Sequence, residues 1–445
     1  MARCRCSGRA LCLCLLPFLM MSHLLVYIMV SIFVAMSYTP EPQLPRHYVA
    51  PGVSSNSGAL APHPLATFWN LRLVEGALWN RLQHLQDREH NPILKGNSTG
   101  DRGPSTDPNY MHETEADGST PCSPDHLWAS QLPDFNTMPE QMQDFVLSMH
   151  CRHYSLLIDQ PGLCAEQDAE TETLMLLMAI KSQVGHFENR QAIRETWGRS
   201  GLVKEEAGGK RWQVRTIFLL GRQDGTTGPH PDLVALLKLE SDHHKDILQW
   251  DFRDTFFNLT LKDLLFWDWL SMHCPHAHFV FKGDDDVFVR TGALLDYLNE
   301  HKAPSQGENN RSKGKEDFLV GDVITNAWPS RQANTKYYIP ESFYKGVYPA
   351  YAGGGGVVYS GALALRLQVV SRWVSLFPID DVYLGMCLHR LGISPLHHPG
   401  FLTFDLPEAE REKPCAYRRV LLVHKRSPKE MLTLWKELKA PLPEC

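Results

Sequence analysis

An alternation of uninterrupted apolar runs with helically spaced apolar residues constrains this chain more than any other feature. The runs LMLLMAI at 174–180 and VRTIFLLG at 214–221 are typical of strands whose two faces are both covered. Around them, apolar residues recur at helical spacing over 187–199, 231–242 and 256–271. This alternation predicts an α/β domain with a central, mainly parallel sheet flanked by helices.

Later segments extend the same pattern to the end of the chain. The segment HFVFKGDDDVFV at 278–289 is predicted as a strand, an acidic turn and a second strand. Ser427 and Glu430 have the capping-box spacing, with Pro428 at the first helical position, so a closing helix is predicted there. The remaining predicted strands are 246–252, 318–322, 356–360 and 420–425, and further helices begin near 361 and 381.

The N-terminus carries a separate apolar segment. Residues 18–36 contain no formal charge and would span about 28 Å as a helix, close to the thickness of a bilayer's hydrocarbon core. The segment is preceded by three arginines, Arg3, Arg5 and Arg9. The positive-inside rule then predicts a cytosolic tail at 1–9, a signal anchor at 10–36 and a luminal remainder. A cleaved signal peptide is the alternative, but the run is long for one and no A-x-A-like site follows.

The residues after the anchor change composition twice. Six prolines between 40 and 64 are typical of an extended linker, whereas 66–94 carries aromatic and aliphatic residues at near-helical spacing. We therefore interpret 37–125 as a luminal stem with one partly structured segment. Residues 126–170 are interpreted as a lead-in that packs on the main domain, and 171–445 as that domain.

The overall composition excludes two broad classes of protein. A hydrophobic fraction of 43% is too high for a chain that is disordered throughout. The formal net charge is −6, whereas a dedicated nucleic-acid binder is usually basic. We therefore expect a folded protein that binds no nucleic acid.

Cysteines and sequons agree with an oxidising compartment. Dispersed single cysteines without a CxxC pair disfavour a zinc knuckle and favour disulfides. Their odd number after the anchor leaves at least one free or paired between chains. Three N-glycosylation sequons are predicted on the luminal side, at Asn97, Asn258 and Asn310. The cysteines concerned are Cys122, Cys151, Cys164, Cys274, Cys387, Cys415 and Cys445.

Three adjacent carboxylates form the first candidate site. Asp284, Asp285 and Asp286 lie between two apolar strands, where concentrated charge is costly unless it is solvated or neutralised. A hard cation such as Mg²⁺ or Mn²⁺ accepts oxygen ligands and keeps positions open for substrate phosphates. The pattern therefore fits a site for a nucleotide diphosphate, although a solvated turn would also explain it.

A second acidic pair follows Pro378. Asp380 and Asp381 stand at the predicted start of a helix, where a carboxylate is favourable without any chemistry. The functional interpretation is that Asp380 caps the helix and that Asp381 reaches a cleft as a general base. The helix dipole would lower the pKa of Asp381, and partial burial would offset that effect.

A run of glycines and a late histidine complete the candidate residues. Gly353, Gly354, Gly355 and Gly356 precede a buried strand and indicate either a close backbone approach or a flexible loop. His424 ends the apolar run at 420–425, where it has a structural role or supplies a nitrogen ligand to the cation of Asp286.

Four segments, taken in order, resemble the β-1,3-glycosyltransferases, which are Golgi enzymes with a GT-A fold. The similarity covers residues 171–445. Within the family, the chain is most similar to the β-1,3-N-acetylglucosaminyltransferases that extend poly-N-acetyllactosamine. The family segments are Arg190–Trp197, Phe279–Val289, Tyr351–Gly356 and Asp380–Gly385. The closer similarity lies in Tyr154–Pro161, Thr255–Leu259, Tyr337–Pro340 and again in the long run Phe279–Val289.

The resemblance implies a role for each candidate residue. It implies that Asp286 and His424 hold the metal and that Asp381 is the catalytic base. It further implies that the four glycines of 353–356 lie against the donor sugar and the acceptor. The residues implied to contact the donor nucleotide are Lys181, Arg190, Arg194, Asp284 and Asp285.

The resemblance also implies a reaction and a location. The expected enzyme transfers GlcNAc from UDP-GlcNAc, with Mn²⁺ or Mg²⁺, to the 3-hydroxyl of a terminal β-galactose on a glycoprotein or glycolipid, with inversion. It would be a single-pass type II protein of the Golgi membrane, with homo- or hetero-oligomers of Golgi transferases as candidate assemblies. A β-1,3-galactosyltransferase, a non-catalytic membrane-anchored glycan-binding protein and a calcium-stabilised structural domain are the alternatives.

Overall fold

The computed structural model describes the greater part of the chain. Within the described residues, no helix combines the length and the apolar character that crossing a membrane requires. Most of the predicted anchor at 10–36 lies outside these residues, as do the sequons at Asn97 and Asn310. The chain divides into two compact units, Met1–Tyr48 and Val49–Cys445. The described residues are 47–49, 60–62, 76–90, 122–165, 173–204, 211–223, 232–302 and 317–439, with five more between 23 and 29.

Strands and helices alternate along the described chain. The helices are α1 (Leu78–His90), α2 (His126–Ser130), α3 (Glu140–Ser148), α4 (Phe187–Glu195), α5 (Leu233–His244), α6 (Leu259–His273), α7 (Thr291–Lys302), α8 (Gly361–Val370), α9 (Asp380–Leu391) and α10 (Pro428–Lys439). The strands are β1 (His47–Val49), β2 (Leu60–Pro62), β3 (Leu156–Ile158), β4 (Thr173–Lys181), β5 (Gly201–Lys204), β6 (Arg211–Arg222), β7 (Ile247–Arg253), β8 (Phe279–Asp284), β9 (Phe288–Val289), β10 (Leu319–Gly321), β11 (Val323–Ile324), β12 (Tyr351–Ala352), β13 (Gly356–Ser360), β14 (Leu396–His397), β15 (Phe401–Leu402) and β16 (Leu422–Val423).

The large sheet has a parallel centre, mostly antiparallel pairs on either side of it, and a parallel pair of β10 with β14 at one edge. Its strands follow the order β14-β10-β13-β8-β4-β6-β7-β3, with β5 paired to β6. The central pairs β8–β4, β4–β6 and β6–β7 are parallel. Antiparallel pairing occurs between β13 and β8, β10 and β13, β3 and β7, and β5 and β6. The predicted mainly parallel sheet flanked by helices is therefore confirmed.

Alternate residues of β4 enter two different hydrophobic cores. Leu177 and Ala179 pack on the side that holds α6, α8 and α9. Leu176, Met178 and Ile180 pack on the side that holds α4, α7 and α10. Because successive side chains of a strand point to opposite faces, a strand between two cores must be apolar throughout. This explains the uninterrupted apolar run from which the strand was predicted.

The carboxyl ends of β4 and β8 place charged residues side by side. In the parallel register Lys181 pairs with Asp284, the last residue of each strand. Ligand sites in open α/β sheets characteristically lie at this edge. The acidic turn therefore begins beside the buried Lys181.

A small sheet brings the C-terminal part of the chain to the acidic turn. Its order is β15-β16-β9, with β16 antiparallel to β9, the strand that follows the turn. Just after β16, the Arg426 amide donates to the Asp286 carbonyl at 2.7 Å. His424, two residues earlier, is thereby held beside the turn.

The helix α1 packs into the main domain, although its residues were assigned to the stem. The Trp79 indole N–H donates to the Ser375 carbonyl at 3.0 Å, and the Trp79 ring meets those of Tyr344 and Phe377 edge-on. The Gln83 side chain accepts from the Ser375 amide and donates to the Trp373 carbonyl. These bonds satisfy backbone groups of the segment that leads into α9, so α1 completes the fold there.

Disulfides link the end of the predicted stem to the lead-in and the lead-in to α6, as the dispersed cysteines predicted. Cys122 bonds to Cys151, and Cys164 bonds to Cys274 at the end of α6. Cys415 is also disulfide-bonded. Cys387 is free and buried, which agrees with the odd number of cysteines after the anchor.

Candidate active site

Two carboxylates and an imidazole converge at the acidic turn. His424 Nε2 lies 3.2 Å from Asp286 Oδ1 and 3.7 Å from Asp284 Oδ2. One ligand atom from each of the three side chains lies within 4.8 Å of the others. All three side chains are half-buried and reach solvent. Two carboxylates with one imidazole form a donor set that fits Mg²⁺ or Mn²⁺, so these residues suit the expected cation.

Contacts at Nδ1, the ring nitrogen that does not face the carboxylates, fix the orientation of His424. Its Nδ1 lies 3.2 Å from the Thr403 carbonyl, and the Thr403 hydroxyl contacts the carbonyls of Gly353 and Gly354 at 3.2 Å each. A hydrogen bond at one ring nitrogen leaves the other as the ligand atom. His424 Nε2 is therefore directed at Asp286 and Asp284.

Asp286 and His424 shift each other's pKa in opposite directions. Burial disfavours the charged form of both groups. The hydrogen bond and charge of the partner outweigh burial, so the pKa of Asp286 is lowered and that of His424 is raised. The pair thus favours an anionic carboxylate at the turn.

The glycine run allows close contact between two backbones. The Asp284 amide donates to the Gly355 carbonyl at 3.0 Å, and a Cβ on Gly283 would lie only 2.7 Å from that carbonyl. Gly355 has φ +91°, which favours glycine. Gly354 and Gly355 lie against the ring of His424. Gly354 and Gly355 are therefore brought to the acidic turn, where Gly356 pairs with Gly283, whereas Gly353 lies against Ile324 and Thr403.

Lys181 joins the two acidic sites. Its Nζ lies 3.0 Å from Asp284 Oδ1 and 2.5 Å from Asp380 Oδ2, and both Lys181 and Asp380 are buried. Lys282 lies 3.9 Å from Asp380 and pairs with Asp263 at 2.5 Å. Burial opposes ionisation of Asp380, but the charges of Lys181 and Lys282 prevail and lower its pKa. The structure therefore brings together two acidic motifs that lie almost 100 residues apart in the sequence.

Asp380 is the first residue of α9, and Ile379 occupies the N-cap position. The expectation that Asp380 is the N-cap is therefore wrong by one residue, because Asp380 is already the first helical residue. Its carboxylate is held chiefly by Lys181 because that buried cation needs a charged partner.

Asp381, the next residue, has a different environment. It is half-buried, and its pKa is raised by burial and by the neighbouring charge of Asp380. Tyr351 lies against the same helix, because a Cβ on Gly385 would come within 2.7 Å of the Tyr351 Cβ. Gly385 is four residues beyond Asp381 and so shares its helix face. Asp381 therefore has the raised pKa suited to a general base, and Tyr351 lies beside it.

Asp285 turns away from the cluster of Asp284, Asp286 and His424. Its Oδ2 accepts from the Ser182 hydroxyl at 2.6 Å and lies 2.8 Å from His186 Nδ1. Asp285 is buried, unlike its two neighbours. The resemblance implies that Asp285 contacts the donor nucleotide. The geometry instead makes it an anchor for the loop after β4.

Arg190 has no N–H group left for a nucleotide. It is 0% exposed, and its guanidinium donates to Glu240, the Ser182 hydroxyl and the carbonyls of Gln183 and Val184. These bonds use all five of its donors. The expected direct contact with the donor is therefore corrected: Arg190 fixes the loop after β4.

Arg194 likewise forms ion pairs within the protein. It bonds to Asp246 through Nε and Nη2 at 2.8 Å each, and to Glu240 through Nη1 at 2.7 Å. It lines a cleft with residues around the start of β7, including Arg215 and Lys245. That strand end is opposite the carboxyl edge where the acidic turn lies, so the structure does not bring Arg194 to the turn.

Sequence reasoning missed several buried charges that support the site. Lys262 donates to the Ser182 carbonyl at 2.6 Å and pairs with Asp254 at 3.0 Å, while Asp263 pairs with Lys282. The signal was present in the sequence, since Lys262, Asp263 and Lys282 stand inside apolar segments. A charge in such a position requires a buried partner.

Asn258, the one described sequon asparagine, lies just before α6. Its amide donates to the Arg253 carbonyl at 2.9 Å, and the sequon threonine Thr260 donates to the Phe377 carbonyl. Glycosylation of Asn258 stays a prediction.

Comparisons with known proteins identify the family of this chain. The family described as Galactosyltransferase matches residues 188–399. N-acetyllactosaminide beta-1,3-N-acetylglucosaminyltransferase 2 of Mus musculus is 48% identical over 86% of this chain and 89% of its own length. The Homo sapiens protein of that name is 46% identical with the same coverage, and N-acetyllactosaminide beta-1,3-N-acetylglucosaminyltransferase 4 of Homo sapiens is 45% identical over 71% of this chain and 75% of its own. The chain therefore belongs to the galactosyltransferase family, together with these β-1,3-N-acetylglucosaminyltransferases.

Proposed function

We propose that this protein is an inverting β-1,3-N-acetylglucosaminyltransferase that extends galactose-terminated glycans from UDP-GlcNAc. The observation that carries the proposal is the Lys181 bridge, which brings the Asp284–Asp286–His424 cluster and the Asp380–Asp381 pair to one edge of the sheet. Transfer of a sugar from a nucleotide requires a site for the donor's phosphates next to a general base. The Asp284–Asp286–His424 cluster and the half-buried Asp381, with its raised pKa, match these two requirements.

In the proposed reaction Asp381 accepts the proton of the acceptor's 3-hydroxyl. The hydroxyl oxygen forms a bond to the anomeric carbon of GlcNAc as the bond from that carbon to the UDP oxygen breaks. Attack from the opposite face converts an α-linked donor into a β-linked product, so no second nucleophile is needed. The buried Lys181–Asp380 pair holds the start of α9 and thereby positions Asp381.

Asp286 and His424, with Asp284 beside them, are the residues that would hold Mn²⁺ or Mg²⁺. When bound there, a divalent cation neutralises charge that develops on the diphosphate leaving group. The four glycines of 353–356 would allow the donor sugar to approach the backbone closely.

We further propose the GT-A arrangement and a type II Golgi location for the chain. The arginines before the apolar segment at 18–36, the disulfides and the sequons support a luminal catalytic domain. Galactose-terminated glycans on glycoproteins or glycolipids are the proposed acceptors, and assembly with other Golgi transferases remains part of the proposal.

A donor and acceptor screen tests the proposal. The purified full-length chain with Mn²⁺ is offered UDP-GlcNAc or UDP-Gal, each with an acceptor ending in β-galactose. We expect a β-1,3-linked GlcNAc product, found by mass spectrometry and linkage analysis. Transfer of galactose instead would favour the galactosyltransferase alternative. Binding of the galactose-terminated acceptor without any transfer would favour a non-catalytic glycan-binding protein.

A further inference from the structure

A gap along one edge of β6 opens a cleft away from the candidate active site. Because β4 pairs with β6 over the whole of 211–219, β5 and β7 share the other edge of β6. On that edge β5 covers 211–214 and the pairing with β7 begins at Phe218, so among the described strands none covers 215–217. The cleft at this gap encloses about 390 Å³, which suits a small molecule. We call it the basic cleft; the residues that line it include Gly162, Arg194, Ser200, Arg215, Thr216 and Asp246.

Side-chain hydrogen bonds hold the gap open in place of a strand. The Thr216 amide donates to the Ser200 hydroxyl at 3.0 Å, and the Thr216 hydroxyl donates to the Gly198 carbonyl at 2.6 Å. A Cβ on Gly198 would clash with the side chain of Ile193, so the chain passes close to α4 at this point. Within the described contacts Ser200 acts only as an acceptor, so its own hydrogen is available to a ligand.

On one wall of the basic cleft the charges are already balanced. Arg194 pairs with Asp246 at 2.8 Å and with Glu240 at 2.7 Å. Glu240 also pairs with Arg190 at 2.6 Å. Two guanidinium groups therefore face two carboxylates, and these carboxylates leave no negative charge over for a third cation. Arg194 uses three of its five N–H groups in these bonds, so two can still donate to a ligand.

Arg215 is the cation that this balance leaves without a counter-charge. Among the described residues its guanidinium has no ion-pair or hydrogen-bond partner, and its Nε is buried. Burial lowers the pKa of Arg215, and no neighbouring carboxylate opposes that effect. A guanidinium keeps its charge in a protein, so burying part of it without an acceptor costs free energy. An oxyanion in the cleft would supply both the acceptor and the missing charge.

The rest of the lining suits a ligand that carries hydroxyl groups. Among the described lining residues Leu163 is the one aliphatic side chain, and there is no Phe, Tyr or Trp ring to pack on a nucleobase. Donors are available instead on Ser200 and Arg194, and acceptors on the carboxylate of Asp246. The cleft is also larger than a bare oxyanion requires, so the anionic group is expected to be part of a larger polar molecule.

We propose that the basic cleft binds an anionic sugar, with the oxyanion on Arg215 and the ring hydroxyls on Ser200 and Arg194. A carboxylate and a sulfate ester both present the paired oxygens that a guanidinium binds. The cleft is separate from the acidic turn, because Thr216 lies three residues before Leu219, the partner of Lys181, or about 10 Å back along β6. The proposal goes beyond the transfer reaction and does not depend on it.

Calorimetric titration of the full-length chain tests the proposal with four probes. These are glucuronate, N-acetylglucosamine 6-sulfate, inorganic sulfate and neutral N-acetylglucosamine. We expect at least one of the two anionic sugars to bind, and which of them binds identifies the oxyanion as a carboxylate or a sulfate. Neutral N-acetylglucosamine should bind at least about tenfold more weakly. Equal affinity for inorganic sulfate and the anionic sugars would overturn the proposal, because the sugar ring would then contribute nothing.

Substitution of Arg215 should remove the site. Arg215→Gln should weaken binding of the anionic sugar by about tenfold to a hundredfold, and Arg215→Lys should recover part of the loss. Asp286→Ala should leave this affinity within about twofold of wild type, because the acidic turn is a different site. Unchanged affinity in Arg215→Gln, or loss of affinity in Asp286→Ala, would overturn the proposal without bearing on sugar transfer.

Thermal unfolding separates a binding role of Arg215 from a structural one. Because Arg215→Gln removes a charge without a partner, the variant should melt at the wild-type temperature or above it. The anionic sugar should raise the melting temperature of the wild-type chain and not that of the variant. A lower melting temperature in Arg215→Gln would show that Arg215 stabilises the fold through a partner of its own, and would overturn the proposal.

Ser200→Asp tests the cleft without touching Arg215. The introduced carboxylate can still accept from the Thr216 amide, and its negative charge should weaken binding of the anionic sugar by about tenfold. Ser130→Asp, at an exposed serine on α2, is the matched control and should leave the affinity unchanged. Equal affinities in the two variants would contradict an anion site at this gap.

Discussion

At the scale of single residues, Lys181 is the group on which the geometry of the site depends. Its buried ammonium contacts Asp284 from the acidic turn and Asp380 from α9. The charges of Lys181, Asp284 and Asp380 stabilise one another only while all three are present. The apolar run that ends at this lysine predicted the strand but not the ion pairs, because partners distant in sequence leave no local signal.

Replacing Lys181 by methionine should therefore destabilise the fold and weaken donor binding. Removal of one partner leaves buried charge uncompensated, at a cost of about 3–5 kcal/mol. Thermal unfolding and UDP affinity would measure the two effects, with Lys245→Met, an exposed lysine, as the control. The pKa of Asp380 is lower in the folded protein than in the unfolded chain, so its ionised carboxylate stabilises the fold at pH values above the unfolded-state pKa. The Lys181→Met variant should lose that contribution. An unchanged melting temperature would contradict the role of Lys181.

The pH profile is a second prediction at this scale. Asp381 must be ionised to accept a proton, and its raised pKa means that protonation begins at higher pH than for an ordinary carboxylate. We expect kcat to fall about tenfold per pH unit below that pKa. The raised pKa of His424 offers a competing cause. The acid limb should disappear from the residual activity of Asp381→Asn; its persistence would assign the limb to His424.

At the scale of elements, the helices and strands of the main domain were largely predictable. Two-sided burial produced long apolar runs for β4 and β6, and the capping box at Ser427 and Glu430 is observed in full before α10. What escaped prediction was the location of α1. Its apolar spacing indicated a helix, but the partners it meets near Phe343 and Ser375 follow it by more than 250 residues.

We predict that α1 is required for the stability of the catalytic domain. Trp79→Ala removes a buried ring and its hydrogen bond, at an expected cost of about 3–5 kcal/mol. Leu85→Ala on the same helix removes a side chain that is half exposed and should cost far less. Chemical denaturation of both variants would measure the difference. Equal stabilities would show that α1 is a dispensable part of the stem.

At the scale of the whole molecule, the acidic turn, the glycine run, α9 and His424 come from four separate regions of the chain and meet at one sheet edge. The order of the motifs identified the family, whereas only the fold showed which side chains face the cleft. Arg190 illustrates the limit, since its place in a family motif suggested a ligand contact and burial gives it a supporting role.

The most direct measurement of the central claim compares turnover and UDP affinity in Asp381→Asn. General-base catalysis contributes about 10²- to 10⁴-fold, so kcat should fall by that factor. Affinity for UDP in the presence of Mn²⁺ should stay near the wild-type value, because Asp284, Asp286 and His424 are untouched. Asp242→Asn, an exposed carboxylate on α5, should leave both quantities unchanged. Loss of UDP affinity together with turnover, or retention of full turnover, would contradict the assignment of Asp381 as the base.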